Sequence, residues 1–259
     1  MITRLRSIIR KVGPPAVAFG ALLALWQGLC LSGLLPGFML PSPGRVALAF
    51  VGDFPLLMSH LGVTLWEAAC GLALSVAAAV ALAVLMDNSG PLKRAVMPVL
   101  LLTQTIPAIA VAPLLVLWLG YGAAPKVALV FLTCFFPIAV GLLGGLAQTD
   151  PDAVRLLQSM GTNHRQVYRF LKLPTALPAF FSGLRISAAY SIVGAVVSEW
   201  LGGNAGLGVY MTRVRKSYSF DKMFAVILLT ALLSLLLMGL VALLERVAMP
   251  YRNEKRGNS

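Results

Sequence analysis

Four ionisable residues stand near or within the long apolar runs of this 259-residue chain: Glu67, Arg185, Glu199 and, at the end of the last run, Glu245. A charged group in a membrane is costly, so each marks a function or a partner by default. Arg185, past Pro178, can reach the membrane surface along its aliphatic stem or pair with an acid on a neighbouring helix. Glu199, beside Trp200 in SEWLGG, is expected near the outer mouth, where a gate or docking contact and a solvated helix end both remain open. Tyr190 and Ser191 could offer stacking and polar contacts to a heterocycle, with Gln104 opposite, although aromatic side chains in spans more often pack than bind.

The residue patterns of catalysis are missing. There is no GxxxxGK[ST] phosphate cradle, no HExxH, no GxSxG and no pair of aspartates at helical spacing. Cys30, Cys70 and Cys134 each stand alone in a different apolar run, without histidine ligands nearby. That argues against a disulfide or a zinc site and for small buried apolar side chains. No catalytic residue, no metal and no directly bound cofactor is expected. A carrier driven by ion gradients would ordinarily place carboxylates at mid-span or show inverted repeats, and it ranks second here.

Positioning these residues falls to membrane-spanning helices. The chain is 59% hydrophobic and 12% charged, with a mean hydropathy of +0.87, where a soluble domain is about a quarter charged. A span needs roughly 20 apolar residues. Six runs qualify: Pro15 to Leu35, Leu61 to Met86, Ala95 to Gly120, Pro125 to Leu146, Ala176 to Leu201 and Met223 to Val247. Lipid leaves backbone groups unsatisfied unless they are paired internally, so an all-α polytopic protein of six spans is expected. The start, MITRLRSIIRK before an apolar run, looks like a secretion signal, but the run is long and Leu34 to Gly37 offer no small-residue cleavage site. An uncleaved anchor is favoured.

Formal net charge is +12. Arg4, Arg6, Arg10 and Lys11 precede the first run, Lys93 and Arg94 lie in the second connection, Arg155, Arg165, Arg169 and Lys172 in the fourth, and Arg246, Arg252, Lys255 and Arg256 around the end. These connections alternate in side, so the positive-inside rule puts them and both termini in the cytoplasm. The basic excess is thereby assigned to the membrane surface, and no nucleic-acid partner is expected. Arg213, Arg215, Lys216 and Lys222 fall on the opposite side and are the exception. The expected organisation is a cytoplasmic segment 1–14, one membrane domain 15–248 and a cytoplasmic tail 249–259.

The third run carries Thr103, Gln104 and Thr105 next to Pro107, with Pro113 beyond. Both prolines are expected to kink the helix, and a pathway-lining segment and a bent packing helix stay equally open. The second run, rich in Ala, Gly and Ser, reads as a close-packing helix. In the fourth connection Asp150 can cap a helix begun by Pro151 and ended at Gly161. Thr162 can cap a second one, stopped by Pro174. The first offers Ala153, Leu156, Leu157 and Met160, the second Val167, Phe170 and Leu171, as apolar faces beside Arg165 and Arg169. Too short and basic to span, this elbow at 150–174 must lie on the membrane surface, against either lipid headgroups or a soluble partner.

Gly161, then Leu173-Pro174 and Leu177-Pro178, resembles the cytoplasmic coupling loop of ABC-importer permeases. LPSPGRV, TLWEAACG, QTIPAIAVAPLLVLWLGYG, FFPI, GLRISAA and GAVVSEWLGGNAGLGVYM are similar to the nitrate, sulfonate, taurine and pyrimidine branch of that family, the last most like permeases for hydroxymethylpyrimidine-type thiamine precursors. The resemblance implies the type I importer permease fold in a bacterial inner membrane. It implies ATP-binding subunits docked on the elbow, an external substrate-binding protein, a second permease copy beside this one, and ATP chemistry supplied by the partner. Riboflavin, sulfonate, taurine and nitrate are alternative cargoes. One departure stands out: Arg155, Leu156 and Leu157 occupy the place of the family's Glu-Ala-Ala. Asp152 can substitute for the missing acid, or apolar docking by Leu156, Leu157 and Met160, helped by Arg165, can suffice, with Gly161 and Pro174 setting the angle to the spans.

Overall fold

The computed structural model describes residues 2–34 and 36–250, and their side chains other than those of 2–12 and 15. Its elements in order are α1 (Ile2–Leu31), α2 (Pro43–Gly52), α3 (Phe54–Asn88), α4 (Gly90–Thr105), α5 (Ala108–Leu119), α6 (Ala124–Ala147), α7 (Pro151–Ser159), α8 (His164–Val167), α9 (Leu173–Glu199), α10 (Leu207–Lys216) and α11 (Phe220–Ala248). The all-α expectation holds, with no strand among the described residues. The exact count of six spans is not confirmed. Among the described residues four helices are long and apolar enough to cross a membrane, and α4 with α5 makes a fifth as a broken pair bent by 100°. The first run gives a shorter apolar stretch, Ala16–Leu31, among the described residues.

The break at 106–107 corrects the expected pair of kinks. A residue before proline is pushed out of the helical region by the ring, and Ile106 accordingly is extended at φ −87°, ψ 120°. Pro113 instead sits inside α5. Proline behaviour differs again in the fourth connection, where Pro174 does not stop the helix. His164 to Glu199 is one helix of 36 residues, widened to a π turn over Tyr168–Lys172. The wider turn relieves the clash of the proline ring with the preceding turn, and the Thr175 hydroxyl donates to the Leu171 carbonyl at 2.8 Å.

The chain forms two units. The first takes the chain up to Met58 with Tyr210–Leu229. In it Asp53, at the end of α2, accepts hydrogen bonds from the Tyr210 hydroxyl and from Lys222 Nζ. The Lys222 and Tyr210 bonds hold the Asp53 carboxyl below its ordinary range, while burial and that same carboxylate push the Tyr210 phenol up. Lys222 is thus taken out of the basic exception; Arg213, Arg215 and Lys216 lie along exposed positions of α10.

The second unit holds Ser59–Val209 and the chain from Thr230. Its centre is α6 against α9, brought close by glycine. A Cβ on Gly141 would stand 2.8 Å from the Ala179 carbonyl, and one on Gly145 2.8 Å from the Ala176 backbone. In lipid, such small residues give helices their contact surface. Around it pack Ala83 and Met86 of α3, Leu100 of α4, Leu142, Leu143 and Leu146. Cys134 is fully buried as a small side chain, donating to the Ser187 carbonyl at 3.2 Å. The three cysteines are free.

Candidate functional site

The broken α4–α5 pair, α6 and α9 enclose a cavity of about 520 Å³, within the range of small-molecule pockets. Its wall includes Thr103, Gln104, Ile106, Pro107, Thr133, Tyr190, Val193 and Val197. Thr103 and Thr133 turn their hydroxyls onto their own helices, at 2.7 Å from the Leu100 carbonyl and 2.9 Å from that of Val130. Gln104 and Tyr190 are left as the wall's uncommitted polar groups among the described residues. Both are exposed, Tyr190 by 51%. Among the described residues the wall carries no lysine, arginine, histidine or carboxylate.

Of the four candidate pathway residues, Gln104 and Tyr190 meet on this wall, and the other two do not join them. Ser191 is fully buried, its hydroxyl donating to the Ala188 carbonyl at 2.8 Å. Glu199 is only 1% exposed, so neither a solvated helix end nor an open mouth describes it. Its carboxylate accepts from Thr64 Oγ1 at 2.7 Å and from the Gly208 N–H at 2.5 Å. The Leu207 N–H donates to Thr64 Oγ1 at 2.8 Å and the Gly206 N–H to His60 Nδ1 at 2.9 Å. The free N–H groups at the start of α10, which no preceding turn can satisfy, are therefore held by side chains of α3 and α9. Beside them Lys126 pairs with Glu67 at 2.6 Å, both buried. None of His60, Thr64 or Lys126 announces itself by sequence spacing, because the contacts join residues more than fifty positions apart.

The elbow forms much as its residues suggest. Asp150 caps α7 by accepting from the Asp152 N–H at 2.9 Å. Gly161 ends it in the left-handed region at φ +84°, and the Thr162 N–H reaches back to the Leu157 carbonyl at 3.2 Å. That is the pairing of a glycine-terminated helix end. The second cap is Asn163 rather than Thr162, in a reciprocal box with Gln166. Asp152 bonds Arg155 at 3.2 Å, and both are largely exposed. Leu156 and Met160 are exposed by 62% and 72%, Arg165 is exposed, and Leu157 is half-buried.

Two acceptors that the sequence did not single out tie this elbow down. Asp87, near the end of α3, accepts from the Tyr168 hydroxyl and from Lys172 Nζ at 2.7 Å. Next to it Asn88 Oδ1 lies 2.8 Å from His164 Nε2. Arg185 pairs with Glu245, which answers its open reading with a neighbouring acid.

Comparison with known proteins places this arrangement. The family described as binding-protein-dependent transport system inner membrane component matches residues 71–248. Over 244 residues the chain is 36% identical to the formylaminopyrimidine transport permease protein ThiX of Halalkalibacterium halodurans, across 93% of this chain and 96% of that one. It is 35% identical to the riboflavin transport system permease protein RibX of Chloroflexus aurantiacus, across 94% and 93%. Its fold is similar to a chain of the MetNI methionine ABC transporter in inward-facing conformations, with a TM-score of 0.67, 19% identity, and 76% of this chain and 97% of that one covered.

Proposed function

We propose that this chain, which belongs to the family of binding-protein-dependent transport system inner membrane components and is the permease subunit of an ABC importer, carries a small uncharged nitrogen heterocycle of the thiamine-precursor pyrimidine type. The observation that carries the cargo class is the wall of the 520 Å³ cavity, apolar apart from an amide, a phenol and hydroxyls, with no fixed charge among the described residues. Nitrate, sulfonates and taurine bear a full anionic group, which an apolar wall without a cation leaves uncompensated. A pyrimidine presents a flat face to Tyr190 and paired donor and acceptor atoms to the Gln104 amide. The relative that transports formylaminopyrimidine agrees with this reading.

Thr103, Gln104 and Thr105 are exposed within the broken apolar helix pair. Polar groups facing lipid are unfavourable, so a second permease copy is the natural cover for this side of the cavity, with the pathway between the two. The ATP-binding subunits dock on α7 through Leu156, Leu157, Met160 and Arg165, from the cytoplasm, and the binding protein delivers cargo on the other face.

Two experiments test this. In proteoliposomes holding the whole importer, Tyr190→Ala and Gln104→Leu are each expected to lower pyrimidine uptake about tenfold, the scale of one lost stacking or hydrogen-bond contact. Tyr190→Phe keeps the ring and stays near the parent. Undiminished uptake in both truncations, or transport of taurine in preference to pyrimidine, would refute the cargo assignment. For the elbow, Asp152→Ala removes only an exposed pair that contributes little to stability. Weaker co-purification of the ATP-binding subunits would assign Asp152 to docking, and unchanged co-purification would leave docking to the apolar face.

A further inference from the structure

An elbow that a motor pushes must hand its motion to something stiff. The covalent route is plain, since α8 runs through the π turn into α9 as one helix. A second route leads through α3. At one end of that helix Asp87 takes two donors from the elbow, Tyr168 and Lys172, and Asn88 takes His164. Lys172 also sits 5.0 Å from the centre of the Tyr168 ring, so the two donors brace each other. The Lys172 and Asp87 side chains are 19% and 11% exposed, away from most of the solvent that weakens surface pairs.

The other end of α3 is fastened as well. His60 and Thr64 hold the N–H groups of Gly206 and Leu207, and Thr64 donates to Glu199, the last residue of α9. Between Thr64 and Asp87 the helix is unbroken and free of proline, a length of roughly 35 Å at the helical rise. Two helices pinned together at both ends move as one body. We propose that α3 is the second drive rod of this permease and that Asp87 is the positioning residue that engages it, carrying movement of the elbow to the turn between α9 and α10. The inference rests on the elbow being the docking site of the ATP-binding subunits.

The test uses the complete importer in proteoliposomes, with one reporter cysteine at a time. Gly62→Cys reports on α3, where a Cβ meets nothing within 4 Å. Asn204→Cys reports on the exposed turn after α9. Labelling of each peptide by a membrane-impermeant maleimide is followed by mass spectrometry with and without a non-hydrolysable ATP analogue. In the parent, both rates are expected to change about fivefold with nucleotide, the scale of an ordinary coupling between sites. Asp87→Ala is expected to weaken the response at Gly62→Cys several-fold, because α3 then follows only through His60 and Thr64, while the response at Asn204→Cys survives through α9. Should Asp87→Ala not assemble, Tyr168→Phe combined with Lys172→Met removes the same bonds from the elbow side and is expected to give the same split. A Gly62→Cys response that is absent in the parent while Asn204→Cys responds, or that is undiminished by the loss of Asp87, overturns the inference. Equal loss at both reporters overturns it too, since Asp87 then serves the fold at large. If neither reporter responds in the parent, it is the docking reading itself that fails.

Discussion

Gly206→Ala is expected to remove most of the folded chain from the membrane, a loss of about 3 kcal/mol or more, read as a lower melting temperature and a lower yield in detergent. Two costs add. Gly206 has φ +123°, a conformation side chains rarely adopt, and forcing one there costs of order 1–3 kcal/mol. The new Cβ would also run into the carboxyl of Glu199, the group that caps the first turn of α10. Moving that carboxylate away strands the Gly208 N–H in a buried place and leaves the Thr64 hydroxyl only its longer bond to the His60 carbonyl at 3.3 Å, and an unpaired buried polar group costs about 1–3 kcal/mol. Glu199→Gln tests the same clasp without strain, because both carboxylate oxygens accept hydrogen bonds and an amide can supply only one acceptor. It should destabilise less than Gly206→Ala. Gly144→Ala is the control: it lies inside α6 with nothing within 4 Å of its Cβ, and should be neutral or slightly stabilising. A Gly206→Ala protein that melts with the parent would show that the turn is not held as described.

How far the sequence reached depends on the range of the interactions involved. Apolar run length is a local property, so the helices α6, α9 and α11 lie within a few residues of the runs that announced them, and α3 extends its run by seven residues at the start. Capping is local too, and Asp150, Pro151 and Gly161 sit where their chemistry put them. Prolines were harder. Pro107 breaks its helix, Pro113 sits within one, and Pro174 is absorbed by a π turn, because the outcome turns on whether neighbours can re-satisfy the freed carbonyl. The short helix α10 went unread because its apolar run Val209, Tyr210 and Met211 gives way at once to a basic stretch around Val214 and its start is capped by side chains far away in the chain. Glu199 was misplaced for the same reason. A lone glutamate at a helix end looks solvated until Thr64 and Gly208 are known to surround it. Gln104 and Tyr190 could be paired in advance because each is an unusual residue in an apolar run, whereas Asp87, at the end of the span among polar residues, looked ordinary.

The largest remaining effect lies in the contact of α6 with α9, and it separates stability from transport. A Cβ on Gly183 would collide with the Pro137 carbonyl and stand 3.2 Å from the Ile138 Cα. Backbone cannot rotate out of the way, so the two helices must part. Gly183→Ala is expected to cost about 3 kcal/mol in packing, and Gly183→Leu to prevent assembly, with uptake falling in proportion to the amount of folded protein. Gly194, three turns on, meets a different obstacle. Its Cβ would lie 3.0 Å from the Thr133 hydroxyl oxygen, part of a side chain that can shift by a few tenths of an ångström. Gly194→Ala should therefore assemble and melt nearly as the parent does. Yet Gly194 and Thr133 both line the cavity, so the added methyl takes space beside Tyr190 from the cargo, and uptake per folded complex is expected to drop several-fold with a raised apparent KM. Measured together, melting temperature and uptake per complex should move in step for Gly183→Ala and separately for Gly194→Ala. If the Gly194→Ala importer takes up the proposed pyrimidine at the parent's rate and apparent KM, the cavity is not on the route.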